Sequence, residues 1–97
     1  MNNISVNPEL LASYGRQVAG LSADYKSEIN SIYKTIDDLN NCWHGETANK
    51  FNSTVKGFEA ELKNLGSKIE ELGNDLVSIA NTYTSFNDMI SEEIGKL

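Results

Sequence analysis

The sequence predicts an all-α fold, an antiparallel two-helix hairpin that forms a four-helix bundle on dimerisation. Three observations carry that prediction. Apolar residues recur at steps of three and four on both sides of the midpoint, the spacing that keeps one face of a helix buried. The period-two alternation of a strand is absent. At the midpoint stands Trp43-His44-Gly45, which holds the only tryptophan of 97 residues and follows the polar stretch Asn40, Asn41, Cys42. Helix, Trp-X-Gly corner, helix reads as one hairpin domain over residues 1–97.

Helix one is expected over about 8–41. Asn7 suits an N-cap and Pro8 the first helical position, and Glu9 sets a negative charge near the positive end of the dipole. Leu11, Tyr14, Val18, Leu21, Tyr25, Ile29, Ile32, Ile36 and Leu39 then mark its apolar face. At 1.5 Å per residue such a helix is roughly 50 Å long.

The turn is expected over 42–46. Trp43 would close the open corner, covering Leu39 and the start of helix two at Phe51 with its ring. Gly45 would supply the positive φ that ends helix one.

Helix two is expected over about 47–95 and is the more regular. Alternating steps of four and three from Phe51 visit Val55, Phe58, Leu62, Leu65, Ile69, Leu72, Leu76, Ile79, Tyr83, Phe86, Ile90, Glu93 and Leu97. Thirteen of these fourteen positions are apolar or aromatic, where a 39% apolar chain would supply about five. A sustained seven-residue repeat implies a coiled-coil-like seam. Gly57, Gly66 and Gly73 each cost roughly 0.8–1 kcal/mol of helix propensity, so tertiary packing must hold this helix.

Small residues mark a further line. Gly66, Gly73 and Ala80 are seven apart, and helix one carries Ala12, Gly15, Ala19 and Ser22 at helical spacing. Small side chains admit a close neighbour. Because a lone hairpin covers each helix on one side only, we expect these residues to face a second molecule as a dimer face.

Composition excludes several classes. A net charge of -6 offers no basic stripe for nucleic acid. The same charge would be repelled by anionic lipid, and the polar faces lack the lysines and arginines of a membrane-active helix. No apolar run approaches the ~20 residues of a membrane span. Met1 to Pro8 has neither a basic region nor an apolar stretch, so no secretory leader is expected. One cysteine cannot form an internal disulfide.

Catalytic, cofactor and metal sites are not expected. His44 and Cys42 are two apart beside a turn, with no third group to orient them as a nucleophile and base. A metal needs three or four ligands at suitable spacing. The acids Glu59, Glu61, Glu70, Glu71, Asp75 and Glu92 fall off the seam and read as a solvated face.

About one hundred residues, an Asn-Pro-Glu start, the central Trp43-His44-Gly45 and an aromatic at Phe51 together resemble the WXG family of type VII secretion substrates, the family of the early secreted antigenic target. The resemblance spans the whole chain. It implies a hairpin that dimerises antiparallel and leaves a Gram-positive cell without a leader, cytoplasmic before export. Its partner would be itself, a related WXG-type protein or the helical N-terminal domain of a toxin. It also implies contact with a secretion ATPase that reads Tyr-X-X-X-Asp or Tyr-X-X-X-Glu past helix two. Here Tyr83 is followed four residues on by Asn87, with the acid one later at Asp88, a degenerate form of that signal. Tyr33 and Asp37 have the spacing but lie within helix one.

The resulting expectation is a secreted, non-enzymatic hairpin acting as substrate, escort or adaptor of that system. The alternative is an intracellular coiled-coil scaffold whose tryptophan merely caps the turn.

Overall fold

The computed structural model describes residues 5–96; the seam position expected at Leu97 and the first four residues, part of the segment in which no leader is expected, lie outside it. The described chain is two long helices, α1 (Pro8–Asp38) and α2 (Glu46–Gly95), joined through a 3-10 turn over Leu39–Asn41. Helix α1 starts where its capping residues indicate. Asn7 is extended, its Oδ1 accepts from the Leu10 N–H at 3.1 Å, and Pro8 opens the first turn.

The corner forms in two steps. The 3-10 turn ends at Cys42, and the Trp43 N–H donates to the Leu39 carbonyl at 2.9 Å. Gly45 then takes φ 119°, the only positive φ among the described residues, and its carbonyl accepts from the Asn49 N–H at 3.0 Å. The positive φ expected at Gly45 is therefore present, but it opens helix two. A tightening 3-10 turn already ends helix one.

The helices run antiparallel in a rod of 79 × 25 × 16 Å with a radius of gyration of 22.3 Å. A compact domain of this length would have a radius nearer ~13 Å. Such a rod buries little. Among the described residues the buried set is Ala12, Gly15, Ser22, Ile29, Tyr33, Ala48, Gly66, Gly73 and Ala80, and the largest side chain fully out of solvent is that of Ser22.

One expectation is overturned here. Ala12, Gly15, Ala19, Gly66, Gly73 and Ala80 do not form a face for a second molecule, because they are the contact between the chain's own helices. A Cβ on Gly73 would lie 2.6 Å from the Ala19 nitrogen and from the Gly15 carbonyl oxygen, and one on Gly15 would lie 2.8 Å from the Gly73 oxygen. Interaxial distance follows the side chains at the contact, so small residues on both helices let the backbones touch. At Gly66 the ring of Tyr25 fills the space, 3.0 Å from where a Cβ would stand.

Hydroxyls from α1 pin the register. Ser22 donates to the Gly66 carbonyl at 2.9 Å, Tyr25 to Leu62 at 2.9 Å and Tyr33 to Val55 at 2.7 Å. Nearer the corner, Asn52 donates to Asn40 Oδ1 at 2.9 Å. The Lys26–Glu70 ion pair ties the helices at the surface. Among the described residues no buried side-chain polar atom lacks a partner.

Candidate interaction face

Helix α2 carries two apolar lines, each repeating every seven residues, and the hairpin uses them differently. Val55, Leu62, Ile69, Leu76 and Tyr83 are half-covered by α1. Phe51, Phe58, Leu65, Leu72, Ile79 and Phe86 are exposed, Leu72 by 60%. The single seam expected from the sequence is thus two lines, and one of them is open to solvent, with only Phe51 packed against the corner. On α1, Tyr14 and Leu21 are likewise more than half exposed, and Ile32 nearly so.

These residues share one face of the rod. On each helix the bare apolar line is displaced in the same rotational sense from the line of small residues at the contact. In antiparallel helices, equal rotations bring both lines out on the same side. The result is a continuous apolar strip from the open end to the corner. Contiguous exposed apolar residues of this kind make the strip the candidate interaction surface. Lys26 and Glu70 lie on the opposite face.

The strip continues past the hairpin. Helix α2 has 50 residues against 31 in α1, and Pro8 already lies beside Thr84, Asn87 and Asp88. The rest of α2 overhangs, carrying exposed Met89, Ile90 and Ile94.

The residues expected to form a degenerate signal meet the start of α1 at this open end. Tyr83 is half-buried, whereas Asn87 and Asp88 are exposed. The latter two line an open concavity of about 440 Å³ with Val6, Asn7, Pro8, Glu9 and Thr84. Tyr33, the other tyrosine with an acid four residues on, is buried and bonded to Val55. Burial, followed by the Glu59 carboxylate, raises its pKa above the usual tyrosine value.

At the far end Trp43 and Phe51 pack with ring centroids 5.4 Å apart, tilted by 50°. Trp43 keeps 36% of its surface exposed, so the corner is both closed and displayed. Cys42 is exposed beside it. Among the described residues there is no cluster of potential metal ligands, and no helix is long and apolar enough to cross a membrane.

Comparison with known proteins returns a family defined by the same tripeptide. The family described as "WXG100: Proteins of 100 residues with WXG" matches residues 3–88. The chain belongs to the WXG100 family. Solved structures agree in fold. EsxA of Geobacillus thermodenitrificans superposes with a TM-score of 0.82 at 19% identity, covering 91% of this chain and 98% of that one. The secreted protein EsxB of Bacillus anthracis superposes with a TM-score of 0.75 at 23% identity, covering 90% of this chain and 99% of that one. No curated protein matches the chain. WXG100 membership thus rests on the family match, and these distant structures add the shared helical hairpin.

Sequence reasoning missed the three hydroxyl donors, Ser22, Tyr25 and Tyr33. Their signal was present: each is a hydroxyl-bearing residue on the inward side of α1, where a polar group needs a partner.

Proposed function

We propose that this chain is a type VII secretion substrate that acts without catalysis, as one half of a four-helix bundle. It would be made in the cytoplasm and exported without a leader, as substrate, escort or adaptor. The carrying observation is the apolar strip along one whole face of the rod. A hairpin whose largest fully buried side chain is a serine gains little from its own core, and covering that strip supplies what is missing. WXG100 membership and a fold shared with a protein described as secreted support the export half of this reading.

Partners of suitable chemistry are a second hairpin of this family or the helical N-terminal domain of a larger toxin, each offering an apolar face of matching length. The secretion ATPase would read the open end, where Tyr83, Asn87 and Asp88 adjoin the start of α1, or the equivalent tail of the partner.

The test is export. Tagged protein is measured in culture medium and in cells, with and without the membrane ATPase of the system. Loss of the medium fraction on deleting the ATPase is the expected result. Release that ignores the ATPase, or a protein that stays in cells as a scaffold whether or not the ATPase is present, would overturn the proposal.

A further inference from the structure

We propose that residues 5–7 form a strap over the open end of the hairpin, with Val6 as its anchor. Seated, the strap covers part of Tyr83 and Phe86; released, it presents Tyr83 and Asn87 to the export machinery. This rests on the reading of the open end given above and deepens it by naming what governs access to that end.

The register of the two helices leaves room for such a strap. Gly15 lies against Gly73, Ser22 is bonded to Gly66 and Tyr33 to Val55, so each step back along α1 matches one step forward along α2. Continued to the open end, that register brings Tyr83 level with about residue 5, ahead of Pro8 where α1 begins. Tyr83 therefore sits at the edge of α1 rather than under it. It is nevertheless half-buried, like Val55, Leu62, Ile69 and Leu76 further along the same line. The arm ahead of Pro8 completes its cover.

Local chemistry sets the course of this arm. Asn7 is extended and its side chain caps α1. Val6 precedes that cap and Leu11 is the fourth residue of the helix. These are the two positions that pack as a hydrophobic staple and fix the angle at which a chain enters a helix. Val6 is half-buried. On one side it shares a concavity of about 270 Å³ with Leu10, Leu11 and Tyr14, and on the other one of about 320 Å³ with Tyr83, Phe86 and Asn87. A valine with open space on both sides forgoes many of the contacts that would hold it, so it is seated loosely. The arm can lift while the Ser22, Tyr25 and Tyr33 bonds keep the helices together. Cap and staple also tie it to the first turn of α1, so loosening that turn releases it.

The experiment is nitration of the full chain by tetranitromethane, mapped to each tyrosine by peptide mass spectrometry, with Cys42→Ser removing the native thiol. Val6→Ser should raise the rate at Tyr83 several-fold. Asn7→Ala, which removes the cap, should do the same, whereas Asn7→Asp keeps an acceptor and should not. Tyr25 and Tyr33, bonded to α2 carbonyls, should keep their rates throughout. In cells whose wild-type chain needs the ATPase for export, Val6→Ser should also raise the ratio of protein in medium to protein in cells. An unchanged rate at Tyr83 in Val6→Ser overturns the strap. So does a rise shared by Tyr25 and Tyr33, which would mean that the helices have parted. A faster Tyr83 with an unchanged export ratio overturns the gating role and leaves the proposed function standing. Wild-type release that ignores the ATPase defeats the proposed function and the gate together, while the nitration rates still decide whether the strap exists.

Discussion

Replacing Gly73 by alanine tests how this hairpin is held. In an isolated helix the change adds roughly 0.8–1 kcal/mol of stability. In this fold the new Cβ would stand 2.6 Å from the Ala19 nitrogen and the Gly15 carbonyl oxygen and 3.0 Å from the Ala19 Cα. All three are backbone atoms, so no rotamer change relieves the contact and the helices must part. Overpacking of this kind costs about 1–3 kcal/mol, and separation also lengthens the nearby Ser22–Gly66 bond, worth roughly 1 kcal/mol. The balance is a net loss of about 1–2 kcal/mol, or several degrees in Tm for a chain of this size. Gly57 is the control. Nothing lies within 4 Å of the point a Cβ would occupy there, so Gly57→Ala should show the propensity gain alone. Circular dichroism followed through urea denaturation, at one protomer concentration, measures both. If Gly73→Ala stabilises the protein as much as Gly57→Ala, the helices are not in backbone contact and the close-approach argument fails.

Other expectations follow from the hydroxyl bonds, the corner and the tail. Tyr33 has a folded pKa raised above 10.0, so its neutral hydroxyl contributes stability below pH 10 that is lost as pH rises through the folded value. Denaturation midpoints should therefore fall in the alkaline range, and Tyr33→Phe should be less stable at neutral pH and show a flatter alkaline limb. Trp43→Ala should cost about 1–2 kcal/mol, below the roughly 3–5 of a fully buried ring, because 36% of the residue is already exposed. An unchanged denaturation midpoint would remove its closing role. Asn87→Asp restores the four-residue spacing from Tyr83 to an acid at an exposed position. It should raise the ratio of protein in medium to protein in cells without altering the denaturation midpoint.

Periodicity made the helices legible, and capping chemistry placed the first of them. Asn7, Pro8 and Glu9 mark a start that the backbone adopts. The corner was legible in kind but not in detail. A Trp-X-Gly tripeptide announces a break, yet whether glycine ends one helix or begins the next depends on where the 3-10 turn closes. That in turn depends on which residues of α1 and α2 must face each other, a tertiary fact. The same limit explains the misplaced dimer face. Gly66, Gly73 and Ala80 permit a close neighbour, but a pattern along one helix cannot say whether that neighbour belongs to the same chain.

Energetics explain which line goes inside. Two helices joined by a short corner can choose between packing their large apolar residues together and packing their glycines together. Packing the glycines leaves Phe58, Leu65, Leu72 and Ile79 bare, a poor choice for a monomer, since each large apolar side chain left in water forfeits roughly 1.5–3 kcal/mol. It becomes a good choice when a second hairpin is available. Close backbone contact makes the rod thin and flat, and it lets the three α1 hydroxyls reach α2 carbonyls that bulky side chains would hold out of range. The large residues are then free to line one outer face. A hairpin that keeps its small residues inside and its large ones outside suits the proposed pairing with another molecule. Two seven-residue repeats thus run side by side along α2: the small residues pack within the chain, and the large ones, on the proposed pairing, are left for a partner.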